Sequence, residues 1–232
     1  QFAVVFAALI HDVDHTGVPN TTLINEKAAI AAVYNSKSVA EQNSVDIAWA
    51  ILMDPEYDEL RATIYSDTSN LEHFRQLGVN SVMATDIMDK DLKALRNRRW
   101  EKAFNGDQEE ELQVAVNRKA TIVIEQFIQA SDVAHTMQHW HVYRKWNERL
   151  FEETYKSYIE GRTATDPIAN WYKGELGFFD FYIIPLASKL SDCGVFGVSS
   201  DEFLKYALDN RKQWELKGEQ IVESLVEKYC KE

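Results

Sequence analysis

Apolar residues recur at i, i+3 and i+4 through most windows of this 232-residue chain, and strict polar/apolar alternation is absent. That spacing lines one face of a helix with 3.6 residues per turn, whereas a strand alternates its side chains with a period of two. Only four prolines and nine glycines interrupt it. The fold is therefore expected to be all-α. With 45% hydrophobic and 12% aromatic residues there is ample material for a packed core, which excludes a disordered or low-complexity chain. No repeat, Pro/Ser-rich linker or composition shift divides the sequence, so one helical domain is expected over residues 1–232.

Charge narrows the function classes. The 25 Lys and Arg are outnumbered by 37 Asp and Glu, a net charge of −12. Binding a phosphate backbone needs the opposite surplus, so nucleic acid is not an expected partner. The two cysteines, Cys193 and Cys230, form no metal-binding or disulfide pattern, which points to a reducing compartment and a cytoplasmic location. The longest apolar run, Phe2 to Ile10, is nine residues, too short to span a bilayer, and carries no signal-peptide features. This domain itself is expected to make no membrane contact. The chain also opens without methionine inside that run, so it is expected to be a segment of a longer protein, one that could be membrane-tethered elsewhere.

The run Phe2–Ile10 is apolar on every side, as expected of a helix buried all round, and Gly17-Val-Pro19 stops it. Ser38-x-x-Glu41 has the spacing of a capping box ahead of another helix. Long helices are expected at about Leu71–Ile87 and Gln108–Val133, the second with Leu112, Val116, Ala120, Val123, Phe127 and Ala130 down one face. Glu109 to Glu111 suit its acidic first turn, and Arg96 to Lys102 read as a solvated helix face. Trp140, Tyr143 and Trp146 read as packing. Residues 161–170 and 191–200 are the loop candidates.

The stretch that carries chemistry is His11-Asp12-Val13-Asp14-His15, where the apolar helix runs out. Four ionisable groups at the edge of a core are costly unless something pairs with them. A divalent cation suits two imidazoles and two carboxylates, and on a helix His11 and His15 would share a face. Asp132 is a further carboxylate at the edge of a core, at the end of a long helix far downstream.

These residues, together with blocks spread along the rest of the chain, resemble the class I cyclic nucleotide phosphodiesterases, whose catalytic domain is a compact multi-helix member of the HD metal-phosphohydrolase group. The resemblance runs through His11-Asp-Val-Asp-His-Thr-Gly-Val-Pro-Asn20, Val33-Tyr-Asn35, Ser38-Val-Ala-Glu41, Ala84-Thr-Asp86, Ser131-Asp132, Tyr143-Arg-Lys-Trp146, Glu175-Leu-Gly-Phe178-Phe-Asp180 and Pro185-Leu186. It implies hydrolysis of the 3′,5′-cyclic phosphodiester of cAMP or cGMP in signal transduction. It implies two divalent cations, Zn²⁺ and Mg²⁺ or Mn²⁺, with His11, Asp12 and Asp132 as ligands. His15 and Asp132 would act at the phosphate, while Asp14, Glu41 and Asp86 would support the ligands. Glu175, Phe178, Leu150 and His135 would contact the nucleoside. Oligomeric state is left open.

The sequence also departs from the family pattern. The upstream histidine-asparagine segment, with a further zinc ligand and the acid for the leaving 3′ oxygen, has no counterpart here; His73, His135, His139 and His141 match neither role. The expectation is that the N-terminal helices are missing, and that this chain alone hydrolyses little while a longer form is active. Glu175 stands where the family has glutamine; an ionised carboxylate only accepts hydrogen bonds, and a protonated one would behave like the amide. Two alternatives remain: a degenerate domain that binds nucleotide or a partner without catalysis, and a hydrolase of the HD group with another nucleotide substrate.

Overall fold

A computed structural model describes residues 1–106 and 111–230. Among these the secondary structure is helical, as expected, and the chain forms two compact units, Gln1–Gln129 and Ala130–Glu232.

In the first unit the apolar run forms α1 (Phe2–Ile10), followed by the short α2 (Asn20–Asn25) and α3 (Ala29–Val33). Next come α4 (Val39–Leu52), α5 (Asp58–Ile64) and α6 (Thr68–Met83), the last capped by Asp67, whose carboxylate accepts from the Asn70 amide. Asp89 caps α7 (Lys90–Phe104) in the same way, taking the amides of Asp91 and Leu92. α8 (Leu112–Asp132) begins in this unit and carries its last three residues into the second.

Helix α1 packs against α6, burying Ala3, Ala7 and Ile10, with Val82, Ala84, Ala48 and Ile128 in one cluster and Leu52 and Phe74 in the next. The expectation that α1 is buried all round is corrected: Val5 is 66% and Leu9 78% exposed. A helix buries only the faces that neighbours cover, and sequence alone does not count the neighbours. The apolar face that the spacing marks on α8 is covered only toward the helix end, where Val123 and Phe127 are half-buried and Ala130 is buried. Leu112 and Val116 are exposed, whereas Ile122, Glu125, Gln126 and Gln129 are buried. Glu109 and Glu110, expected in its first turn, lie outside the described residues.

In the second unit α9 (Trp140–Ile159) buries Tyr143, Asn147 and Phe151, residues four apart on one face. α10 (Trp171–Phe178) runs through a π-helical turn at Phe179–Ile183 into α11 (Ile184–Asp192). The Ile184 amide reaches back to the Phe179 carbonyl, and Pro185, which has no amide hydrogen, follows at once. α12 (Glu202–Tyr229) closes the unit against α9, α10 and α11 through Ala207, Asn210, Trp214, Gly218, Ile221 and Leu225. Tyr143 packs edge-on against Phe179 and Trp214, which bears out the packing reading for that tyrosine, although Trp146 stays exposed. No described helix is long and apolar enough to cross a membrane.

Candidate active site

Helix α1 stops at Ile10, and His11 to Asp14 continue as turns, with Asp14 in the left-handed region at φ 62°. The expectation that His11 and His15 share a helical face is thereby corrected; the turn, not a helix, sets their directions. His11 Nδ1 lies 2.9 Å from the Ala8 carbonyl oxygen, and a carbonyl only accepts, so Nδ1 carries hydrogen. The lone pair of neutral His11 is therefore on Nε2, the atom 3.3 Å from Oδ2 of Asp12. Two lone-pair atoms this close need a cation between them, either a proton on Nε2 or a metal ion. A ring nitrogen tied to a backbone carbonyl while the other faces a carboxylate is the arrangement common to metal-binding histidines. The hydrogen bond from His11, against the opposing effect of burial, holds the Asp12 carboxyl below its ordinary range. The residues present thus fit a divalent ion.

His15 follows the turn and accepts the Gly17 amide at Nδ1, leaving Nε2 as its protonated nitrogen. Its ring lines a cavity of about 160 Å³ together with Asn20, Glu41, Thr85, Asp86 and Met88. Asp14 points elsewhere, accepting from the Asn43 amide at 3.1 Å. Glu41 accepts from the Asn20 side chain at 2.9 Å; burial pushes its carboxyl up and that hydrogen bond opposes the shift.

The capping box expected at Ser38 and Glu41 does not form. Ser38 precedes α4 but makes no side-chain cap, its hydroxyl going instead to Asp86 at 2.7 Å. Asn20 does the capping from α2, its Oδ1 accepting the Ala40 amide. The solvated face expected for Arg96 to Lys102 is found at Asn97, Arg98, Glu101 and Lys102, which are exposed, but not at Arg96 and Arg99. Arg96 is 8% exposed and donates to the Asp86 carbonyl, and Arg99 pairs with the buried Glu125 at 2.6 Å. Nothing in the spacing of these arginines marks them as inward-facing.

Asp132 is the last residue of α8. It falls in the second unit, whereas His11 and Asp12 belong to the first. In the second unit, His135 sits on a 3₁₀ turn, its ring 6.1 Å from that of Trp146, and burial lowers its pKa despite the charge of Asp132. Glu175 accepts a hydrogen bond from Tyr143 Oη at 2.5 Å, and Asn147 reaches the same tyrosine oxygen at 3.5 Å while accepting from Trp171. Burial pushes the Glu175 carboxyl up, and the hydrogen bonds from Tyr143 and Asn147 partly offset this. Phe178 stacks on Tyr182, and Leu150 is exposed on α9. Asn147 carries no signal in the sequence; it is visible only once α9 and α10 are packed.

The sequence profile of the 3′5′-cyclic nucleotide phosphodiesterase family matches residues 1–196. The human dual specificity calcium/calmodulin-dependent 3′,5′-cyclic nucleotide phosphodiesterase 1B is 27% identical over 206 residues, 82% of this chain and 34% of that protein. The probable 3′,5′-cyclic-AMP phosphodiesterase pde-4 of Caenorhabditis elegans is 28% identical over 206 residues, 82% of this chain and 29% of its own length. This chain thus spans about a third of the curated relatives it matches. The fold is similar to the crystal structure of the phosphodiesterase domain of the RhoPDE fusion protein from the choanoflagellate Salpingoeca rosetta. The TM-score is 0.74 at 23% identity, covering 96% of this chain and 69% of that one.

Proposed function

The chain belongs to the 3′5′-cyclic nucleotide phosphodiesterase family, and from that premise we propose that it is the catalytic domain of an enzyme hydrolysing the 3′,5′-cyclic phosphodiester of cAMP or cGMP. The observation that carries the reading is the His11–Asp12 pair, in which an imidazole anchored on the Ala8 carbonyl through Nδ1 turns Nε2 onto a carboxylate. The family implies divalent metal ions, and the finer assignment proposed here is a tightly held Zn²⁺ with Mg²⁺ or Mn²⁺ beside it. His11, Asp12 and Asp132 would hold the first ion, with Asp12 shared between the two. When bound, such a pair acidifies water and neutralises the charge that grows on the phosphoryl oxygens during in-line displacement.

The chain's own groups do the rest. His11 keeps its ligand nitrogen oriented through the Ala8 carbonyl. His15, with Nδ1 occupied by the Gly17 amide, presents Nε2–H as a donor suited to a phosphate oxygen. Asp132 would take part at the phosphate as well as in metal binding. In the second unit Phe178 offers an aromatic face for a purine. Glu175 offers the hydrogen-bonding group for its edge, with Leu150 and His135 as further contacts.

The test is hydrolysis of cAMP and cGMP by the full natural protein, alone, after chelation, and after return of Zn²⁺ and Mg²⁺. Cyclic nucleotide turnover that chelation abolishes and the ions restore supports the reading. Binding without turnover in the metal-loaded protein would favour a regulatory domain, and turnover confined to other phosphoesters would favour a different hydrolase of this group.

A further inference from the structure

Two groups that sequence spacing would assign to capping α4 are both spent on tertiary contacts. Ser38 sits in the left-handed region, at φ 38° and ψ 53°, and its buried hydroxyl donates to Oδ2 of Asp86. A non-glycine residue rarely holds that conformation unless its surroundings impose it. Glu41, one turn on, is held from the other side by Asn20, which also caps the helix. The start of α4 is therefore oriented by tertiary partners on both sides rather than by its own end groups.

Asp86 is the hub. It is 5% exposed, and its carboxylate accepts from the Ser38 hydroxyl, from the Met88 amide at 3.1 Å and from the Asp89 amide at 3.0 Å. Three donors satisfy a buried carboxylate in place of water. From α7, Arg96 donates through Nη2 to the Asp86 carbonyl at 3.1 Å and through Nη1 to that of Met83 at 3.5 Å, holding the turn between α6 and α7. That turn supplies Thr85, Asp86, Ile87 and Met88 to the cavity whose other wall is His15, Asn20 and Glu41. One wall is thus fastened to α7 by Arg96 and to the other wall by the Asp86–Ser38 bond.

We infer that Arg96 and Asp86 are positioning residues that hold the two walls of the His15/Glu41 cavity in register for a hydrated divalent cation. The inference rests on the metal-hydrolase reading above. A guanidinium makes two directed hydrogen bonds to separate carbonyls, which a point charge on a flexible stem does not reproduce fully. Loosening the turn would let Thr85 and Met88 draw away from Glu41 and His15 on the facing wall, and a cation that keeps its waters depends on the spacing of such outer partners.

The experiment uses Mn²⁺ alone as probe, its binding to the full natural protein followed by water-proton relaxation, beside the Mg²⁺ concentration giving half-maximal hydrolysis. Arg96→Met should raise both constants about 10-fold, with a smaller fall in kcat at saturating Mg²⁺. Arg96→Lys should recover part of the loss, and Asp86→Asn should shift the same constants. Should Arg96→Met not fold, Asp86→Asn and Arg96→Lys carry the comparison. Folded variants with wild-type Mn²⁺ affinity and Mg²⁺ dependence would overturn the inference while leaving the phosphodiesterase reading intact. A wild-type protein without hydrolysis, in which Mn²⁺ affinity still depends on Arg96, would overturn that reading and uphold the positioning role.

Discussion

Tyr143 donates its phenolic hydrogen to Oε2 of Glu175 across 2.5 Å, joining α9 to α10 through a buried carboxylate. Burial raises the pKa of Glu175, so folding disfavours its ionised form. An acid with a folded pKa above its unfolded one loses stability as pH rises between the two values. Glu175→Gln keeps an acceptor for Tyr143 but cannot ionise. It should therefore be more stable than wild type at pH 8, by about 1 kcal/mol or roughly 2–4 °C in Tm. The gap should close toward pH 4. Thermal melts across that range check this; a gap that widens in acid would refute the assignment.

The same substitution bears on base choice. An ionised carboxylate accepts the adjacent N–H donors of a guanine edge, whereas an amide both donates and accepts. The ratio of kcat/KM for cGMP over cAMP should fall in Glu175→Gln by about 10-fold, the scale of one hydrogen bond to a charged group. An unchanged ratio would remove Glu175 from base recognition.

Glu125 on α8 is buried and pairs through Oε1 with Arg99, while its Oε2 has no hydrogen-bond partner. Burial pushes its pKa up, and Arg99 pulls it back. Arg99→Met leaves the carboxylate stranded and should cost about 2–3 kcal/mol, less than a fully buried pair because Arg99 is partly exposed. With the compensating charge gone, the folded pKa rises further, so the deficit should be larger at pH 8 than at pH 5. Denaturant titrations at the two values test both the size and the sign.

Gly218 in α12 meets the Tyr172 ring closely enough that a Cβ would lie 2.7 Å from Cδ2. In an open helix, Gly→Ala gains about 1 kcal/mol. Here Tyr172 would have to move, and its hydroxyl would leave the Glu215 carbonyl it donates to at 3.1 Å. Gly218→Ala should therefore destabilise by about 1 kcal/mol or more. A gain in Tm would show that the ring yields freely.

Much of this architecture is legible in the residues alone, for identifiable reasons. An unbroken apolar run with a Gly-Val-Pro stop permits little but a short helix, and α1 has the bounds that run suggests. The His11–Asp12 pair is legible because charges at the end of such a run demand a partner. What is not legible depends on which elements become neighbours. Arg96 lies in a basic stretch resembling any solvated face, and only the approach of the 84–88 turn makes it a clamp. Ser38 and Glu41 have capping spacing, but spacing does not reveal that Asp86 and Asn20 arrive to compete for them. The start of α8 escapes the pattern because apolar spacing says which face could be buried, not whether anything covers it.

The most direct measurement of the central claim is the divalent metal content of the purified full natural protein, by mass spectrometry after exhaustive dialysis, for wild type, His11→Ala and Asp12→Asn. The account predicts about one tightly held zinc per wild-type chain, as in sites with several protein ligands. Both variants should lose that ion while keeping the helical circular dichroism of the fold. Wild-type protein that retains no more metal than the variants, yet hydrolyses cyclic nucleotide in the presence of a chelator, would contradict it.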